Sequence, residues 1–139
     1  MVVDENTDFG KRVAQRLRDE SVVWLTTVRP DGTPEPSPVW FLWDGESCLI
    51  YSQPGKTKLK DIARNPRVAL SFDTNGRGGN VVILTGDARV DEIAPPADQH
   101  PDYLAKYRDL IAGIGMKPDT FARGYSVAIR VTPTKLRGH

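Results

Sequence analysis

Two tight-turn signals constrain this chain more than anything else in it. Arg29-Pro-Asp-Gly-Thr33 follows a β-rich run over residues 22–28, and Asp44-Gly45 separates Val39-Trp-Phe-Leu-Trp43 from Cys48-Leu-Ile-Tyr51. Proline fixes φ, the aspartate side chain caps the turn and glycine supplies positive φ, so each signal closes a hairpin. Strands joined by loops this short lie antiparallel. Bulky residues at successive positions in 39–43 and 48–51 imply burial on both faces of those strands.

The rest of the chain extends the pattern. Val68, Leu70 and Phe72 alternate with Arg67, Ala69 and Ser71; Asn75-Gly-Arg-Gly-Gly79 turns the chain; a strand then runs from Val81 to about Val90. Gly86 inside it marks a bulge or a barrel corner. Tyr125, Val127, Ile129 and Val131 alternate with Ser126, Ala128, Arg130 and Thr132 as the last strand. Helical spacing appears three times: Val13, Ala14 and Leu17 within residues 9–20, with Asp8 as N-cap; Leu59, Ile62 and Ala63 from near Thr57 to Asn65-Pro66; and Tyr103, Leu104, Tyr107, Leu110 and Ile111, stopped by Gly113 and Gly115. About six strands and three helices joined by short turns predict an α+β antiparallel barrel in a single domain, residues 1–139.

Composition excludes several function classes. A net charge of +1 with 39% hydrophobic and 27% charged residues describes an ordinary globule, not a nucleic-acid-binding surface or a disordered chain. Cys48 is the sole cysteine, and His100 and His139 give no metal-ligand spacing with it, so no disulfide and no metal site are expected. Asp4, Glu5 and Asp8 occupy the start in place of a basic apolar leader, and no apolar run reaches membrane length, so the expectation is a cytoplasmic protein without membrane or nucleic-acid partners. Gly55-Lys56-Thr57 imitates the end of a phosphate-binding loop, but the earlier glycine that loop needs is Ile50 here. Gly76-Arg-Gly-Gly79 lacks dinucleotide-binding spacing and reads as a turn. Asp91 and Glu92 are neighbours on a strand end, face opposite ways and read as solvent-facing charges, so they make no acid/base pair.

One charged stretch stands apart. Lys56, Lys58, Lys60, Arg64 and Arg67 are opposed only by Asp61, while the whole chain is near neutral. A helix opening near Thr57 adds free N–H groups and the positive end of its dipole to the lysines, a combination suited to a phosphate; a solvated basic face is the plain alternative.

The residues 22–34 (Val-Val-Trp-Leu-Thr-Thr-Val-Arg-Pro-Asp-Gly-Thr-Pro), Ser37-Pro-Val-Trp-Phe41, Tyr51-Ser52, Lys56-Thr-Lys58, Arg64-Asn-Pro-Arg-Val-Ala69 and Val82-Ile-Leu-Thr-Gly86, taken in that order, resemble the pyridoxamine 5′-phosphate oxidase-like split-barrel superfamily. Within it the chain is most similar to the deazaflavin-dependent branch, the B-type F420-dependent oxidoreductases. The likeness spans residues 10–132, and the basic helix start followed by Asn-Pro-Arg-Val is its most specific part.

That resemblance implies a homodimer of six-stranded antiparallel split β-barrels with flanking helices and two cofactor sites in grooves between subunits. It places the cofactor phosphate against Lys58, assisted by Lys56 and Thr57, and Ser52 near the phosphate arm. Ser37, Pro38, Val39 and Trp40 lie along the ring, and Asn80 approaches from the partner chain. Thr57 departs from the flavin-using oxidases, which tend to carry arginine before the lysine. The implied activity is hydride transfer from reduced F420 to an electron-poor organic substrate, with an FMN-binding reductase or oxidase, or a noncatalytic carrier of F420 or another anionic ligand, as alternatives. The residues themselves also fit plainer roles: Trp40, Phe41 and Trp43 as barrel filling, Ser37 and Pro38 as edge-strand shape, Asn80 as a turn. No His, Asp or Cys stands out as a proton donor, the substrate is unnamed, and Tyr125 and Arg130 are candidates for substrate contact for which a structural strand is the favoured reading.

Overall fold

A computed structural model describes residues 2–139. Seven strands form one antiparallel sheet: β1 (Val23–Val28), β2 (Pro34–Val39), β3 (Leu42–Trp43), β4 (Cys48–Ser52), β5 (Arg67–Ser71), β6 (Val82–Val90) and β7 (Val127–Gly138). Their order across the sheet is β2-β1-β5-β6-β7-β4-β3. Seven strands at about 4.8 Å spacing would spread roughly 29 Å if flat. The two edge strands are nevertheless joined only by Trp40 and Phe41, a link that reaches at most about 11 Å. The sheet therefore curls until its edges meet, giving a barrel that is split where they do. The sequence reading of about six strands counted residues 39–43 as one strand; β2 instead ends at Val39 and the two-residue β3 pairs with β4.

The turn at residues 29–33 makes the β1–β2 hairpin, with Arg29 and Thr33 paired across it and Asp31 capping the Thr33 N–H at 3.0 Å. Pro34, Pro36 and Pro38 alternate along β2, which has β1 as its one partner. Residues without an N–H belong on the open side of such an edge, where they also discourage further strand addition. Gly86 does mark a bulge: the β6–β7 register slips there, and a Cβ at Gly86 would sit 2.2 Å from the Thr132 carbonyl oxygen.

Four helices flank the barrel. In α1 (Asp8–Asp19) the N-cap is Thr7, whose hydroxyl accepts from the Gly10 N–H at 2.9 Å; Asp8, expected to cap, is instead the acidic residue of the first turn. Val13, Ala14 and Leu17 of α1 join Leu25, Phe41, Ile50, Leu70, Leu84 and Ile129 in the barrel core. α2 (Thr57–Arg64) follows β4, and α3 (Pro101–Gly113) and α4 (Pro118–Gly124) form a helical annex outside β4 and β7. α4 was not expected from the sequence, and it places Tyr125 ahead of the last strand instead of within it.

β4 explains how barrel and annex are joined. All five of its residues are buried: Cys48 and Ile50 face the barrel core, while Leu49 and Tyr51 face the annex. Alternation along a strand thus supplies two cores, and each buried aliphatic or aromatic side chain contributes on the order of 1.5–3 kcal/mol.

Candidate functional site

A cleft of about 380 Å³ opens beside the junction of β2 and β3. Its first wall is polar and basic: Ser52 and Gln53 from the end of β4, then Lys56 and Lys58 at the start of α2. Gly55, at φ 76°, bends the chain so that α2 starts here. Lys56 is the N-cap, makes no side-chain capping bond, and is followed by no acidic residue in the first turn. The Thr57 and Lys58 N–H groups, which have no partner among the described residues, are therefore available for an anion along with the positive end of the dipole, while the Leu59 N–H donates to the Lys56 carbonyl at 3.1 Å.

The electrostatics sharpen this picture. Burial, and next the neighbouring Lys56 charge, hold the Lys58 ammonium below the ordinary lysine range. Among the described residues Lys56, Lys58 and Lys60 form no ion pair, whereas the arginines of the basic stretch do. Arg64 donates to the Val28 carbonyl at 2.6 Å and lies 3.5 Å from buried Asp61, which also accepts from the Thr27 hydroxyl at 3.0 Å. Arg67 pairs with Asp87 at 3.6 Å. The expectation that Asp61 alone opposes the five cations is thus corrected: intrachain carboxylates occupy Arg64 and Arg67, and the lysines remain.

The facing wall is aromatic. Trp40 stacks on Tyr107 (5.0 Å between centroids, 9° between planes) and on Phe121 (5.6 Å), and Phe121 meets Tyr125 at 4.4 Å. Tyr51, Tyr103 and Ile114 also line the cleft. Trp40 is set by the backbone beside it. The Tyr107 hydroxyl accepts from the Phe41 N–H at 2.7 Å and lies 2.8 Å from the carbonyl oxygens of Phe41 and Ser21, to one of which it donates. Lys106 donates to the same Phe41 carbonyl at 2.8 Å and stands 3.8 Å over the Phe41 ring. Burial brings the Lys106 ammonium down to about 8, opposed by nearby Cys48, Asp19 and Glu20. Together these groups satisfy the backbone where the two sheet edges meet.

The structure brings six of the residues named from sequence into this cleft: Pro38, Val39, Trp40, Ser52, Lys56 and Lys58. Ser37 is not in the lining; it pairs with Leu25 across the β1–β2 ladder. Thr57 is exposed at the first position of α2. Asn80 lies between β5 and β6 at φ 55°, its carbonyl accepting from Arg16 at 2.8 Å and its side-chain oxygen buried without a partner among the described residues. Tyr51, Tyr103, Ile114 and Phe121 were not anticipated. The signal for α4 was present in Lys117-Pro118, since proline favours the first position of a helix.

Asp91 also differs from its sequence reading. It is buried, not solvent-facing: Arg130 donates to it at 2.8 Å, Arg89 stands 3.8 Å away, and the bond from Arg130 is the main cause holding its carboxyl below the usual range. Arg130 further reaches Ser47 at 2.9 Å and Asp44 at 3.2 Å, so it ties β7 to the β3–β4 turn and does not line the cleft.

Residues 9–139 match the family model described as Pyridoxamine 5′-phosphate oxidase. No curated protein matches the chain significantly. Among solved structures, one called F420 Reductase is 28% identical with a TM-score of 0.65, covering 88% of this chain and 94% of its own. A putative pyridoxamine 5′-phosphate oxidase from Listeria innocua shares the fold at 21% identity and a TM-score of 0.68, covering 91% of this chain and 94% of its own. So does a heme storage protein from Vibrio cholerae, at 13% identity and a TM-score of 0.65, covering 95% of each chain.

Proposed function

As the chain belongs to the pyridoxamine 5′-phosphate oxidase family, we propose that its cleft holds a phosphate-bearing flavin-type cofactor, the deazaflavin F420 in preference to FMN, and that the protein is an F420-dependent oxidoreductase acting on an electron-poor organic substrate. The observation that carries this reading is the pairing of walls: lysines without carboxylate partners and an uncapped helix start on one side, stacked rings on the other. The first suits a phosphate by charge-assisted hydrogen bonds, the second a flat ring system. When bound, the cofactor supplies the hydride; the chain binds, orients and excludes water.

Within this reading Lys58 holds the phosphate, with Lys56 and the first N–H groups of α2 beside it. Pro38, Val39 and Trp40 border the ring. Ser52 stands on the phosphate side. The likeness to the F420 Reductase supports the deazaflavin, and Lys60, exposed on α2, adds positive charge for its acidic tail. The residues of this cleft include no His, Asp, Glu or Cys, and within this reading solvent or the cofactor itself completes the reduction.

A homodimer belongs to the same proposal, with Asn80 reaching the cofactor of the opposite subunit. Competition between F420 and FMN at low and high salt tests the reading. F420 is expected to win, by a margin that narrows as exposed charges are screened. Tighter FMN binding at both salt concentrations would transfer the assignment to a flavin reductase.

A further inference from the structure

Tyr51 lines a second cavity as well as the cleft, a groove of about 340 Å³, and is the one residue common to both. Neighbouring residues of the same elements divide between them: Phe121 lines the cleft and Ala122 the groove, Tyr125 the cleft and Ser126 the groove. The two cavities differ in shape and in charge. The cleft is walled by rings and lysines, whereas the groove is lined by short apolar side chains, among them Val90, Ala94, Pro95 and Val127, with Tyr51 as its one ring. Its charged residues are Asp91 and Glu92.

These two carboxylates are not equivalent. Asp91 is buried and satisfied: Arg130 donates to it at 2.8 Å, Arg89 stands 3.8 Å away, and it accepts from the Ile93 N–H at 3.1 Å while its own N–H donates to the Ala128 carbonyl at 2.8 Å. Those bonds fix the turn after β6 that carries Glu92. Glu92 is exposed, and among the described residues it makes no ion pair and no side-chain hydrogen bond. The field at Tyr51 has the same sign: burial raises its phenol, opposed by Arg130 and reinforced by Asp91 and Asp98.

We propose that this groove is a binding site for a small aliphatic or alicyclic amine, its ammonium group paired with Glu92 and its hydrocarbon body lying on the short apolar side chains. Apolar walls take up hydrocarbon, and a carboxylate without an internal partner leaves one negative charge for a ligand to match. A protonated amine also donates hydrogen bonds, and the Ser126 hydroxyl, which has no partner among the described residues, offers an acceptor. A quaternary ammonium ligand would need an aromatic cage, which one tyrosine ring does not make. The anionic cofactor is repelled by the charge that attracts the amine, so this site does not rest on the proposed function.

Amide chemical-shift titration of the full chain and of Glu92→Gln with cyclohexylamine and with cyclohexanol, which share a ring and differ in charge, tests the site without any cofactor. At neutral pH and low salt cyclohexylamine should shift residues 90–94 and 126–128 saturably, and more than Trp40, Lys56 and Lys58. It should bind the native protein about two- to fivefold more tightly than the variant, the range of one exposed ion pair, and added salt should erase that difference. Cyclohexanol should bind both proteins alike. Equal affinities of cyclohexylamine for the two proteins, shifts centred on the cleft, no saturable shift in the native protein, or a variant equally weakened toward cyclohexanol would each overturn the inference. A native protein that binds cyclohexylamine in the groove but takes up neither F420 nor FMN breaks the cofactor reading and leaves this site standing.

Discussion

The barrel interior and the aromatic annex are two cores built on the same strands by opposite means. The interior is mainly aliphatic: Leu17, Leu25, Leu70, Leu84 and Ile129 are essentially inaccessible to solvent, and the helix α1 packs into the same cluster. The annex is built from rings with polar tips, and its stacking depends on hydrogen bonds to backbone where the sheet is interrupted. Close-packed aliphatic groups tolerate no ligand, whereas flat rings backed by a few placed polar groups leave a cleft. The division teaches that one face of β4 and β7 holds the fold while the other shapes the site.

Leu70→Ala probes the interior, and about 2–5 kcal/mol should be lost in urea unfolding, the usual range for a buried leucine. The cleft should be affected only through loss of the folded state. A cost below about 1 kcal/mol would mean that the interior is far more loosely packed than its burial indicates.

Lys58→Ala should leave urea stability unchanged and weaken cofactor binding by on the order of 1.5–3 kcal/mol, whereas Lys60→Ala, the loss of an exposed and screened charge toward the acidic tail, should cost less than about 1 kcal/mol. Fluorescence titration of both variants decides between a focused phosphate contact and a diffuse basic surface, for which the two losses would be equal. Because burial and Lys56 lower the Lys58 pKa from its ordinary 10.5, cofactor affinity should decline on the alkaline side at a pH below that of an ordinary lysine.

Tyr107→Phe keeps the ring of the annex but unpairs the Phe41 N–H, and about 1–3 kcal/mol should be lost for that buried donor. The comparison predicts a local signature: hydrogen exchange should quicken in α3 and at residues 40–41 more than in β5 and β6. Uniform quickening would show one cooperative core in place of two.

The least localised effect is a shared alkaline loss. Burial raises the Cys48 thiol from 9.0 to about 12 and the Tyr51 phenol from 10.0 to about 12, with Tyr107 raised as well. For groups raised on folding, the stabilisation is fully present below the unfolded values and is lost as pH rises through the window up to the folded ones. Thermal melts should therefore fall progressively above about pH 9, and Cys48→Ala should shift the onset towards pH 10, where the tyrosines begin.

Local chemistry alone determined the β1–β2 hairpin, since Pro-Asp-Gly dictates a turn whatever surrounds it, and likewise the end of α2 at Asn65-Pro66 and the bulge at Gly86. The Lys56-Thr-Lys58 helix start was legible for the same reason: its charge and its free N–H groups belong to one short segment. Tertiary structure decided the remainder. Whether Arg64 and Arg67 stay free depended on Asp61 and Asp87, the latter on another strand, and whether Asp91 faces solvent depended on Arg130, 39 positions away. The aromatic wall joins Trp40, Tyr103 and Phe121 from a strand junction and two helices, which no spacing along the chain relates. Periodicity reports which face of an element is buried; what that face meets is set only when the sheet curls and brings its edges together.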